Sequence, residues 1–278
     1  MDRVICFGAG GGGRREKNRI QQNYKILCFT DNDPQKWGGS IEGIPIVPPT
    51  EALDEDFDYV VITSQPGLQS IMVQLNEAGI PDQKIITSFV DYELRARIEW
   101  LKSFAIMHQN DDKSLQCAEA GVFEGDFAKY INSIFPDRKL FLFDTFEGFS
   151  QSDIDKESSD YAKAGDYSNT SVVLVMSKMK HPENVEIHKG FFPDSAKDTE
   201  GSFLFVNLDL DLYEPTIQGL RFFKDKMSSG AAILVHDYFA ETFDGPKRAV
   251  DEFIAENRAL NYHAYPIGDK LSALITGF

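Results

Sequence analysis

LQCAEAGVFEGDFAKYINSIFPDRKLFLFDTFEGF, residues 115–149, reads as strand, glycine turn, helix and second strand ending in an acid. Gln116–Ala120 is a short apolar strand, and Glu119-x-Gly121-x-x-x-Gly125 is a turn without side-chain bulk at two positions. Phe127, Tyr130, Ile131 and Ile134 then recur at helical spacing, and 139–143 is the second strand. Asp144 follows at its carboxyl end, where the crevice of a doubly wound sheet places a carboxylate to accept hydrogen bonds from ribose hydroxyls. The glycine spacing differs from the dinucleotide pattern G-x-G-x-x-G, and an acid precedes the turn, which suits a ligand with a cationic amino-acid end.

Outward from this stretch, β-rich runs at 184–188, Phe203–Leu208, 231–235, 262–267 and 271–276 are separated by helical or turn-like segments, the last two spaced as a hairpin. Such alternation predicts an α/β fold with a largely parallel, doubly wound sheet and an antiparallel element at its C-terminal end. Asp209 and Asp211 follow one strand and His236 and Asp237 close the next, so polar groups from two strand ends meet at one rim. A D-x-D on an extended strand end would point its carboxylates to opposite faces, so one of Asp209 and Asp211 is expected in the site. The structural alternative is that both merely cap a strand-to-helix turn and that His236 is a packed strand-end residue.

The glycine turn with its following acid resembles motif I of the class I S-adenosylmethionine-dependent methyltransferases. The words DTFEGF, KGFFPDS, LDLDLYEPT and VHDY, in that order, resemble the macrocin O-methyltransferase (TylF-like) family from about residue 115 onward. The resemblance implies a Rossmann-like methyltransferase domain that uses S-adenosylmethionine and a divalent metal to methylate a hydroxyl of a sugar, glycan precursor or related natural product. It places the base at Asp209, the metal at Asp209, His236 and Asp237, and the cofactor at Glu119, Gly121, Gly125, Asp144, Thr145 and Phe146. Magnesium is the family's expected ion. His236 departs from that pattern, because an imidazole replaces a hard oxygen donor. Phe146 and Phe191 are candidates to flank the adenine, with a place in the core as the first reading of each.

The first third reads as a separate unit ending near Val90. Arg3–Phe7 and 24–30 are strands around Gly8-Ala-Gly10-Gly-Gly-Gly13, with Asp31 and Asp33 after the second. Strands are expected at 58–63 and 84–89, a helix at 69–78, and a short edge segment at GIPIV. FGAGGGG, FTDNDPQKWG, GIPIV and DYVVITS are similar to the small Rossmann-like N-terminal domains of bacterial sugar-modifying enzymes, which hold a nucleotide-sugar. A docking role, nucleotide-sugar binding and nicotinamide binding stay open for it. We therefore expect a small Rossmann-like domain at 1–90, a linker helix at 91–110 and the methyltransferase domain at 111–278. The polar stretch 150–171 is expected to be a lid or disordered, with Tyr161 and Tyr167 as acceptor contacts.

A composition of 42% hydrophobic and 26% charged residues is ordinary for a soluble protein. No apolar run is long enough to span a membrane, and the N-terminus lacks the features of a secretory signal. A net charge of −16 disfavours phosphate backbones, so nucleic acid is not an expected partner. Cys6, Cys28 and Cys117 fall in predicted strands without metal-ligand spacing, which suggests buried thiols in the cytoplasm. A small-molecule hydroxyl acceptor is the expected partner, and a homo-oligomer is left open. Two rival readings are a nicotinamide-dependent sugar-nucleotide dehydrogenase or epimerase, for which no Tyr-x-x-x-Lys pair is suitably placed, and a non-catalytic protein binding S-adenosylmethionine or a nucleotide-sugar.

Overall fold

A computed structural model describes all residues except 66, 91, 155–162 and 241–243, and the side chains of 69, 152 and 153. The chain divides into two compact units, Met1–Tyr92 and Glu93–Phe278.

The first unit runs β1 (Arg3–Phe7), α1 (Gly11–Gln21), β2 (Lys25–Thr30), β3 (Ser40–Ile41), β4 (Ile44–Val47), α2 (Pro49–Leu53), β5 (Tyr59–Ile62), α3 (Leu68–Glu77) and β6 (Ile85–Ile86). Its sheet has the order β3-β4-β2-β1-β5-β6, parallel apart from the β3–β4 hairpin. Alternation along β1 sends Val4 and Cys6 into one core layer and Ile5 and Phe7 into the other, so helices cover both faces. Two expectations need correction. GIPIV is not the edge, because β3, a two-residue strand too short to read from sequence, pairs outside it. The last strand stops at Ile86, because Val90 N–H bonds back to the Thr87 carbonyl and closes a turn.

The second unit runs α4 (Tyr92–Met107, its first residue in the first unit), β7 (Gln116–Ala120), α5 (Ala128–Ile134), β8 (Leu140–Asp144), α6 (Gln151–Ile154) and α7 (Val172–Ser177). It continues with β9 (Val185–Lys189), β10 (Phe203–Leu208), α8 (Tyr213–Phe223), β11 (Met227–Val235), α9 (Gly245–Glu256), β12 (His263–Pro266) and β13 (Ala273–Thr276). The sheet order is β12-β13-β11-β10-β7-β8-β9, and β13 alone runs against the rest. Because β8 and β9 lie on one side of β7 and β10 and β11 on the other, the order reverses between β7 and β10. A crevice opens outside the strand ends at such a switch point. Ile98, Leu101 and Phe104 of α4 pack with Phe205 in the core of this unit, so the helix belongs to the domain that follows it. The three cysteines are free and buried. Among the described residues no helix is long and apolar enough to cross a membrane.

Candidate active site

β7 and β10 pair in parallel, with Glu119 opposite Asn207 beyond an irregularity between Phe203 and Phe205, and this pair sets the floor of the crevice. Asn207 donates from Nδ2 to Glu119 Oε1 at 2.8 Å, which leaves two buried acceptors, Glu119 Oε2 and Asn207 Oδ1, without a donor among the described residues. Burial first, then the charge of Asp209, pushes the Glu119 carboxyl well above its ordinary range. Buried acceptors lacking a donor suit a cationic ammonium group, which fits the amino-acid end of S-adenosylmethionine.

Asp144 sits at the end of β8 as expected and already holds three backbone amides. Its Oδ2 accepts from Val122 N at 2.6 Å and Phe123 N at 2.9 Å, and its Oδ1 accepts from Phe146 N at 2.7 Å. The carboxylate therefore ties the turn after β7 to the turn after β8, and one accepting position remains on Oδ1 for a ribose hydroxyl. Thr145 caps the same turn, its Oγ1 accepting from Glu147 N at 3.2 Å. Phe146 is buried in the core, whereas Phe191 is 43% exposed, so the core reading fails for Phe191. Gly121 and Gly125 both adopt positive φ, and the protein itself demands their bareness. A Cβ on Gly121 would lie 1.8 Å from the Asp209 carbonyl oxygen, and one on Gly125 would lie 3.1 Å from Val175 Cγ1.

Beyond β10 and β11 the acids converge. His236 Nδ1 lies 3.1 Å from Asp209 Oδ1 and 3.1 Å from Asp237 Oδ1. Single ligand atoms of these three residues all fall within 4.8 Å of one another, and Nδ1 lacks a well-aligned hydrogen bond to either acid. Two oxygens and a nitrogen around one point fit a divalent cation. Burial opposes charge on His236, yet Asp209 above all raises it to about 10, so the imidazole is a cation at neutral pH. Burial likewise opposes ionisation of Asp209, but His236 and then Arg97 hold it at about 2.

Sequence reasoning missed Arg97 and misplaced Asp211. Arg97 is buried on α4 with its Nη1 3.4 Å from Asp209 Oδ2, its guanidinium 4.5 Å from the Phe127 ring centroid and its Nε without a partner among the described residues. One arginine in ELRARIEW carries no sequence signal of such a role. Only one of Asp209 and Asp211 was expected in the site, but β10 ends at Leu208 and Asp211 turns at φ 58°, so the period-two rule no longer applies. Its carboxyl bonds to Asp237, and burial together with Asp209 and Asp237 pushes it well above its ordinary range. Asp237 also has φ 58°; such strain recurs where a site fixes its side chains. Tyr167 stands edge-on to Phe123 and Phe149, each at 5.2 Å, and partial burial with Asp211 foremost among the acids pushes its phenol up. Tyr161 lies outside the described residues.

A sheet of this order, with acids at the ends of its four central strands, defines a class I, S-adenosylmethionine-dependent methyltransferase. Residues 93–264 match the family model for macrocin-O-methyltransferase (TylF), and residues 1–86 match C2185-like, N-terminal. The chain belongs to the macrocin O-methyltransferase (TylF) family and is an O-methyltransferase, and for the second unit the two rival readings give way.

Solved structures share the fold. The O-methyltransferase NovP is 21% identical with a TM-score of 0.57, covering 65% of this chain and 79% of that one. The calicheamicin methyltransferase CalS11 is 16% identical with a TM-score of 0.54, covering 76% and 91%. The redox-sensing transcriptional repressor Rex of Brevibacillus brevis is 34% identical over 102 residues, 34% of this chain. The chain spans about half the length of that relative, 48%.

Proposed function

We propose that the second unit methylates a hydroxyl of a sugar, glycan precursor or related natural product, with a divalent cation assisting. The reading is supported by a family named for macrocin O-methylation and by the fold shared with a calicheamicin methyltransferase. The observation that carries the metal-assisted mechanism is the convergence of Asp209, His236 Nδ1 and Asp237 at the rim.

S-adenosylmethionine supplies a methyl group on a sulfonium, which leaves the chain to align the acceptor, take up its proton and exclude water. Glu119 and Asn207 would receive the cofactor's ammonium group, and the turn clasped by Asp144 would hold its nucleoside end. Asp209 is the proposed base. Held at about 2, it is a weak proton acceptor, so transfer to it requires a hydroxyl that has itself been acidified. A cation held by Asp209, His236 and Asp237 would supply that Lewis acidity. Because His236 carries a proton at neutral pH, cation uptake is linked to proton release and weakens as pH falls.

Titration with Mn²⁺ followed by electron paramagnetic resonance tests the site. One ion per chain, lost in Asp237→Asn and Asp209→Asn, is expected; equal binding by both variants would move the cation elsewhere. His236→Asp should shift preference toward Mg²⁺, since it restores an oxygen donor.

A further inference from the structure

The chemistry above gives the buried acceptors Glu119 Oε2 and Asn207 Oδ1 an ammonium group. It gives nothing to Arg97 Nε, a buried donor that has no acceptor among the described residues. Buried polar groups are nearly always hydrogen-bonded, so an orphaned donor on a permanent cation needs an account.

Arg97 is 6% exposed, and its guanidinium is held from two sides. Nη1 lies 3.4 Å from Asp209 Oδ2, and the guanidinium carbon stands 4.5 Å from the ring centroid of Phe127, the residue that caps α5 after the glycine turn. A guanidinium presents its donors as a rigid fork, and the edge that carries Nε meets a carboxylate side-on with two parallel bonds. Asp209 does not take that edge. Its contact runs through Nη1 and is long for a charged pair, so the Nε edge is left for a second anion.

The same cation acts on the ammonium site. Burial and then Asp209 push the Glu119 carboxyl up, and Arg97 is foremost among the groups that pull it back, yet Glu119 Oε2 takes no hydrogen bond from it. The orphaned donor and the orphaned acceptors thus lie within electrostatic reach of one another without bonding. An α-amino acid carries an ammonium and a carboxylate on one carbon, so it needs acceptors beside a donor. β7 and β10 supply the acceptors here and α4 supplies the donor.

We propose that Arg97 binds the carboxylate of S-adenosylmethionine through its Nε edge while Nη1 keeps Asp209, so that one guanidinium aligns the methyl donor and the base. The assignment rests on the reading of Glu119 and Asn207 as the ammonium site. A role confined to pairing Asp209 would leave Nε orphaned and would not distinguish ligands with and without a carboxylate.

The test is calorimetry on the full chain with S-adenosylmethionine and with its decarboxylated form, which keeps the nucleoside, sulfonium and ammonium. Wild type should prefer the intact cofactor by about tenfold or more, and Arg97→Met should bring the two affinities within about threefold of each other. A partly unfolded variant loses both ligands alike, so the ratio isolates the carboxylate contact. Arg97→Lys, which keeps the charge without the fork, should show an intermediate preference and serves alone if Arg97→Met fails to fold. Glu119→Gln should weaken both ligands alike, since each carries the ammonium; unchanged binding by that variant would remove the ammonium reading, while the ratio still decides the role of Arg97. Equal affinity of wild type for the two forms would overturn the proposal, and so would the full wild-type preference in Arg97→Met, or in Arg97→Lys where it alone folds.

Discussion

Asp209 is held by two cations of different kinds, the His236 imidazolium and the Arg97 guanidinium. The Arg97 guanidinium keeps a counter-charge beside Asp209 whatever becomes of His236. Arg97→Met should therefore destabilise the fold by about 1–3 kcal/mol, as a buried charge loses a partner while His236 remains. Chemical denaturation checks this, and an unchanged midpoint would show that Arg97 gives Asp209 no net support. Glu119 yields a pH prediction. Its folded-state pKa lies above the unfolded value, so its stabilising share is present below the ordinary carboxyl range and is lost as pH rises toward the raised value. Glu119→Gln removes that titration. The variant should lose less stability than wild type between acid and neutral pH and should bind S-adenosylhomocysteine more weakly; denaturation midpoints across pH and calorimetry measure the two effects.

The turn after β7 shows how packing and site share one element. Gly121 is bare because the chain after β10 passes against it, and this close approach brings Asp209 beside the Glu119 strand. Gly121→Ala should cost about 3 kcal/mol or more, combining a left-handed alanine with a backbone clash. Gly125→Ala should be milder, since its Cβ meets only the Val175 side chain, which can yield. Comparable thermal midpoints for the two variants would contradict this account. Elements of this kind were legible in the sequence because hydrophobic period and glycine spacing are local: β1, β7 and β10 lie where the pattern put them. The converging residues Asp209, His236 and Asp237 were legible from strand-end position and family words. Arg97, the turn at Asp211 and the triple amide clasp of Asp144 were not, because each depends on tertiary contact or on a backbone that leaves the strand geometry.

The two units each bury their own layers, Val4, Ile5, Phe7 and Phe29 in one and Phe143, Phe203, Phe205 and Leu234 in the other, so each has the core of an independent domain. Residues 93–278 expressed alone should fold cooperatively and bind S-adenosylhomocysteine as the full chain does; heat release by the full chain only would make the first unit part of the cofactor site. The most direct test of the central claim is formation of S-adenosylhomocysteine from S-adenosylmethionine across a panel of sugar and glycoside acceptors. It compares wild type, chelated wild type and Asp209→Asn. Turnover that chelation abolishes, that added Mg²⁺ or Mn²⁺ restores, and that Asp209→Asn lacks while still binding S-adenosylhomocysteine is the predicted result. Full turnover by Asp209→Asn, or by wild type after exhaustive chelation, would contradict the account.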